Sequence, residues 1–539
     1  DSGRCVLVRA GADGDCAVDL TPAPFNVRSR VHEYGGGAWA ASGDIVIFSH
    51  HADNRLYRTD LAGTTPIPIT PEGDLRFADL QIDRAGNRLV AVREDHTFPD
   101  AEAANTIVLL TLDGPNSDGG QIIISGTDFV STPRFSPDRT ELAWLSWDHP
   151  NMPWDGTELW RARIAVDGAL SNVERVAGGA RESIFQPGWD GEGRLLFVSD
   201  RTGWWNLYRT GTTAGAEPEP LTPVQREFGL PQWIFGMSTW AHLADGSIAC
   251  AWTSDGIWSL GRIAPDSAAD RAPDESGPVP YTLPFTHFAS VCADPSGSAV
   301  TALAGSASEP MRLIRIDAAT GEWVTLATSV DSSIDEAFLS IPEPVSWTAP
   351  DGATSHGFYY PPANAETRPP DGARPPLIVE SHGGPTGASS TAFDIGIQFW
   401  TSRGFAVLDV NYGGSTGYGR AYRERLNGQW GIVDVDDCVS GAAALVERGL
   451  VDPGRLVIRG GSAGGYTTLA ALTFRSVFRA GVSYYGIGDL EAMVRDTHKF
   501  ESRYLDGLVG PWPEARATYV ARSPIHHVDQ LSSAMILFQ

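Results

Sequence analysis

Arg459-Gly460-Gly461-Ser462-Ala463-Gly464-Gly465-Tyr466 follows the apolar run Leu456-Val-Ile458 and opens a helix-forming run that continues to Phe474. Strand, sharp turn and helix, with a serine at the turn in a G-x-S-x-G frame, form the pattern of a nucleophile elbow. The turn forces the serine into an unfavourable backbone conformation. Its neighbours two residues away must be small enough for strand and helix to approach closely. Ser462 then projects above the sheet edge as the candidate nucleophile. The N–H of Ala463, at the helix start, points to where an oxyanion would form.

Working outward, Ser381-His382-Gly383-Gly384-Pro385 follows a second apolar run, Pro376-Leu-Ile-Val-Glu380. An HGG-type loop in this position supplies a backbone N–H to an oxyanion hole, which makes Gly384 the partner of Ala463. His382 invites a role as base, but it precedes the serine, and in this arrangement the base follows it. Further apolar runs, Phe405–Val410, Ala480–Tyr484 and Ala534–Phe538, alternate with helix candidates 393–403, 435–448 and 464–474. Alternation of this kind predicts a mostly parallel sheet of the α/β-hydrolase type over 341–539.

The stretch 1–340 reads differently. It holds short β-rich runs, and a turn recurs ahead of an apolar run at Ser42-Gly-Asp44, Ala85-Gly-Asn87, Pro137-Asp-Arg139, Glu192-Gly-Arg194, Asp245-Gly-Ser247 and Ser296-Gly-Ser298. The intervals are about 43 to 55 residues, the spacing of propeller blades. Six units are visible, and the abrupt start suggests another, so an all-β propeller of about seven blades is expected. Polar and aromatic segments such as Arg30–Gly37, Asn151–Asp155, Arg181–Pro187 and Trp233–Met237 stand out from plain blade sequence. Most of these residues suit inter-blade packing. A carboxylate among them, Glu33 or Glu182, is a candidate to hold a substrate ammonium.

At 539 residues the chain is too long for a single core, so two or more domains are expected. Its net charge of −26 argues against nucleic acid as a partner. No apolar run reaches the length of a membrane span. The cysteines, Cys5, Cys16, Cys250, Cys292 and Cys438, are scattered, odd in number and without C-x-x-C spacing. Neither a disulfide framework nor a metal site is indicated, no cofactor is called for, and a reducing, cytoplasmic compartment is the simplest expectation.

Taken together, His32-Glu-Tyr-Gly-Gly-Gly37, Ser199–Tyr208, His382-Gly-Gly-Pro385, Asn411–Gly419, Gly460–Gly465 and Thr497-His-Lys-Phe-Glu-Ser-Arg-Tyr504 resemble the prolyl oligopeptidase family of serine peptidases. The likeness is to its bacterial acylaminoacyl-peptidase and dipeptidyl-aminopeptidase branch. The resemblance implies a propeller capping the hydrolase domain, an active site between them, and cleavage of short peptides through an acyl-enzyme. It matches Ser462 to the nucleophile and Ala463 with Gly384 to the oxyanion donors. It matches Phe500 and Tyr504 to the wall of the primary specificity pocket. These two stand at i and i+4, which would put them on one helical face, as core packing would also require.

The family's triad Asp and His follow a strand that here ends the sequence, so both are expected beyond residue 539, the hydrolase domain reads as truncated at its C-terminal end, and residues 1–539 alone are not expected to be a competent hydrolase. His526, His527 and Asp529 precede that strand and are not assigned. Short peptides are the expected partners, and a homo-oligomer is left open. An esterase or amidase acting on small non-peptide substrates, and a non-catalytic propeller scaffold, are the alternatives.

Overall fold

The computed structural model describes residues 3–11, 17–211, 215–265, 277–330 and 334–539. Cys16 lies outside them. The six recurring turns are the hairpins between the first and second strands of six four-stranded antiparallel sheets. Blade 1 runs from Trp39 to Pro68, blade 2 from Leu75 to Ile124 and blade 3 from Phe129 to Gly178. Blade 4 runs from Ile184 to Pro220, blade 5 from Trp240 to Pro280 and blade 6 from His287 to Thr328.

Among the described residues the propeller therefore shows six blades rather than about seven. The segment ahead of the first recurring turn forms only a two-stranded ribbon, Val8–Arg9 with Val18–Asp19. Its four strand residues are exposed, so it buries too little apolar surface to stand as a sheet face.

First strands of neighbouring blades lock to one another through side chains set on backbone kinks. Asp79, Thr132, Gln186 and Ser290 all take positive φ, and each sits at a register shift in its strand pair. The kinks turn side chains toward the next blade. Asp79 accepts the Thr132 N–H at 2.7 Å, and Gln186 accepts the Thr239 N–H at 2.6 Å.

After blade 6 the chain builds a seven-stranded sheet from β1 (Glu343–Thr348), β2 (Thr354–Tyr360), β3 (Leu377–Ser381), β4 (Ala406–Asn411), β5 (Leu456–Gly461), β6 (Ala480–Tyr484) and β7 (Ala534–Phe538). The order is β1-β2-β4-β3-β5-β6-β7. β1 pairs antiparallel with β2 and β2 antiparallel with β4, and the remaining neighbours pair parallel. Helices α1 (Ile395–Thr401), α2 (Arg420–Arg423), α3 (Val433–Glu447) and α4 (Ala463–Phe474) fall among these strands. β4 is buried along its whole length, as a strand covered on both faces must be.

The two domains share one core. Trp154, Trp205 and Trp252 of the propeller belong to the same buried apolar cluster as Tyr412, Tyr466 and Tyr504 of the hydrolase domain. Polar links cross the same interface. Asp200, in the turn after the second strand of blade 4, accepts from Arg420 at 2.8 Å and Arg423 at 2.5 Å. Glu227, fully buried, accepts the N–H groups of Trp205 at 2.8 Å and of Gly419 at 2.9 Å.

Candidate active site

Ser462 sits between β5 and α4 with φ 54° and ψ −122°, the strained geometry expected of an elbow. Two bonds hold it there. Its N–H donates to Tyr484 O at 3.0 Å, and its carbonyl accepts from the Tyr466 N–H at 3.0 Å. Its side chain is exposed, whereas every residue of α4 from Ala463 to Thr473 is buried. A helix buried all round behaves as core and cannot shift without disturbing the sheet beneath it.

The glycine frame has a geometric cause. A Cβ on Gly464 would lie 2.0 Å from the carbonyl oxygen of Ser381, and one on Gly460 would lie 2.4 Å from the carbonyl oxygen of Gly464. Only bare backbone allows α4 to press against the end of β3. That closeness also brings the next loop to the serine, since a Cβ on Gly383 would be 3.6 Å from Ser462 Cβ. Neither the Gly384 N–H nor the Ala463 N–H donates to a described group. Ala463 is the first residue of α4, where an N–H has no helical partner.

The loop after β3 is fixed from several sides. His382 hydrogen-bonds Ser415 Oγ through Nε2 at 2.7 Å, lies 2.9 Å from Gly383 O through Nδ1, and stacks on Tyr412 with ring centroids 4.3 Å apart. Burial pushes its pKa down to about 4. It is a neutral strut and not a base for Ser462. Among the described residues no side chain hydrogen-bonds Ser462 Oγ. Further along, Thr386 is held by Tyr504, whose hydroxyl accepts its N–H at 3.1 Å and meets its Oγ1 at 2.6 Å. Trp233 of the propeller donates Nε1–H to Thr386 O at 2.6 Å.

Phe500 and Tyr504 do not share one helix. Phe500 lies in a 3-10 turn, Lys499–Glu501, and Tyr504 opens a separate five-residue helix. Both are buried, and Trp233 joins them, with centroids 6.2 Å from Phe500 and 5.7 Å from Tyr504. Trp154 and Tyr34 complete this aromatic box from the propeller side.

The propeller carboxylates are paired elsewhere. Glu33 accepts from Arg76 at 2.8 Å. Glu182 accepts from Ser199 Oγ at 2.6 Å and from Arg201, whose guanidinium lies over the Tyr208 ring. A reading of the sequence misses Glu501 and Tyr34, which meet across the domain interface at 2.5 Å. Glu501 stood inside the segment singled out for Phe500 and Tyr504, and no local pattern marked it.

Residues 391–539 match the model of the prolyl oligopeptidase family. The structure of a Mycobacterium tuberculosis puromycin-hydrolyzing peptidase superposes with a TM-score of 0.92 at 39% identity, covering 99% of this chain and 82% of that one. A crystal structure of puromycin hydrolase gives 0.91 at 37% identity, with the same coverage. Dipeptidyl aminopeptidase BIII of Pseudoxanthomonas mexicana is 31% identical over 170 residues, 30% of this chain and 25% of that protein. The match thus spans about a quarter of the length of that curated relative.

Proposed function

The chain belongs to the prolyl oligopeptidase family, and on that premise we propose that it is a serine exopeptidase cleaving short peptides through an acyl-enzyme on Ser462. The observation that carries this is the exposed serine on its strained turn, beside two backbone N–H groups that no described group uses.

In this reading Ser462 Oγ attacks the scissile carbonyl as a histidine base takes its proton. The tetrahedral oxyanion is held by the Ala463 and Gly384 N–H groups. Loss of one such donor costs on the order of 10² to 10³ in rate. Collapse expels the amine, and water then releases the acyl group. Phe500 and Tyr504 form the wall against which the side chain next to the scissile bond rests. The propeller, docked over the site, excludes folded proteins and leaves short chains as substrates. Aminopeptidase, acylaminoacyl and dipeptidyl cleavage all use this chemistry. Because the two structural relatives are named for hydrolysing puromycin, amides with a non-peptide leaving group fall within the proposed range.

We set the domain limit at 340/341, between the last strand of blade 6 and β1. We place the protein in the cytoplasm, where the free cysteines Cys5, Cys250, Cys292 and Cys438 would stay reduced. No helix among the described residues is long and apolar enough to cross a membrane.

The test is Ser462→Ala in the intact protein, assayed on a free aminoacyl anilide, its N-acetylated form and a dipeptidyl anilide. Turnover is expected to fall by at least 10³-fold, and a fluorophosphonate probe should label the parent protein only. Undiminished turnover by the variant would refute the assignment.

A further inference from the structure

Among the described residues, no arginine or lysine pairs with Glu501, and its nearest basic group is the His498 imidazole. It is 8% exposed, and the Tyr34 hydroxyl is its hydrogen-bonding side-chain partner, on Oε1. Its other oxygen, Oε2, lies 3.9 Å from His498 Nε2, beyond hydrogen-bonding distance, and accepts no hydrogen bond among the described residues. The remaining cations nearby are committed. Lys499 turns its ammonium to the carbonyls of Ala103 and Asp128, at 2.9 and 2.8 Å, over the Phe129 ring. Arg76 is taken by Glu33 and Glu94. Burying a carboxylate is costly unless a positive group or several donors meet it, and one phenol does not meet that cost.

The place is as telling as the charge. Glu501 directly follows Phe500, and Tyr34 faces Trp233 with centroids 5.3 Å apart. Trp233 and Tyr504 both bond Thr386, two residues beyond Gly384 in the loop that passes Ser462. Tyr34 is 45% exposed, so the pair sits at the open rim of the aromatic box. Burial and the neighbouring Glu501 push the Tyr34 phenol up, which keeps it a donor. An anionic oxygen with spare capacity beside aromatic faces is a setting that favours an organic ammonium.

We propose that Glu501, oriented by Tyr34, binds the free α-ammonium of the substrate, with Trp233 and Phe500 packing beside it, so that the site selects unblocked amino ends. The identity of the ammonium's carrier rests on the peptidase reading above. Glu33 and Glu182, each paired with an arginine, are not needed for this role.

The experiment measures binding, so that it does not depend on catalysis. Phenylalaninamide, N-acetylphenylalaninamide and 3-phenylpropionamide, which lacks the amine, are titrated calorimetrically into intact Ser462→Ala protein with and without Glu501→Gln. Phenylalaninamide should bind at least tenfold more tightly than 3-phenylpropionamide, and Glu501→Gln should bring the two within about twofold. The affinity for 3-phenylpropionamide should stay within about twofold in both proteins, which shows that the box remains folded.

An amine advantage that survives in the variant, or tighter binding of the acetylated ligand by the parent, overturns the proposal. Should Glu501→Gln not fold, Tyr34→Phe serves instead. It removes the hydroxyl that orients the carboxylate and should cut the amine advantage severalfold, and an advantage equal to the parent's overturns the proposal. Turnover of a free aminoacyl anilide is read separately on protein with Ser462 intact. If it were absent while the amine preference held, the peptidase reading would fall and the ammonium site would stand.

Discussion

The side chain of Ser462 is free only because its backbone is not. A non-glycine residue in this conformation stores on the order of 1–3 kcal/mol, and it persists only where its surroundings over-determine it. Those surroundings are the bonds to Tyr484 and Tyr466 and the contact of α4 with the end of β3. Gly464 is the point of closest approach. Gly464→Ala would set a methyl 2.0 Å from Ser381 O, a separation no real contact shows, so helix and loop must part. The expected result is a fall of more than tenfold in the rate of fluorophosphonate labelling of Ser462, with a drop of several degrees in melting temperature. Labelling at the parent rate would mean that the elbow does not depend on this contact.

The loop from His382 to Thr386 is the element that turns an exposed serine into a site. Tyr504 ties its far end. Tyr504→Phe would leave the buried Thr386 N–H without its acceptor, at a cost of about 1–3 kcal/mol, and would loosen the segment that carries Gly384. Because the oxyanion forms only in the transition state, the loss should fall on kcat, about tenfold, while KM for a small anilide changes little. A Phe variant within twofold of the parent in kcat would disconnect Tyr504 from oxyanion positioning. These elements differed in how far the sequence revealed them. β3 and β4 were legible because parallel strands buried on both faces read as unbroken apolar runs; β5 to β7 were legible from their apolar residues, although β7 is exposed at the sheet edge, and the helix expected at 435–448 is observed at Val433–Glu447. β1 was not legible, since among its six residues only Trp347 is buried. The six hairpin turns were readable from Gly and Asp spacing, whereas the count of blades was not, because a ribbon and a blade begin with similar short runs. The Tyr34–Glu501 contact joins residues 467 positions apart and exists only once the domains dock, so no local periodicity could announce it.

Docking itself is held by buried charge, which makes it sensitive to pH. Glu227 accepts one N–H from each domain, and Arg423, bonded to Asp200 and stacked on Trp205, is the nearby cation that favours its ionised form. Burial outweighs that help and pushes the carboxyl up to about 7, while an unfolded glutamate titrates near its ordinary value, about 4.3. Between these two values the folded protein keeps a proton that the unfolded chain has lost. Stability from this group therefore falls as pH rises through that window, by at most about 4 kcal/mol, and is level above it. Asp434, pushed up to about 6 by burial, acts in the same direction and remains in both proteins of the comparison. Glu227→Gln cannot ionise, and its amide leaves one of the two N–H groups without an acceptor. The variant should therefore melt below the parent at pH 5, and the gap should narrow by a few degrees as pH rises to 8. A gap that stays constant or widens would show that Glu227 is already ionised when the domains are docked, with Arg423 rather than burial governing the interface.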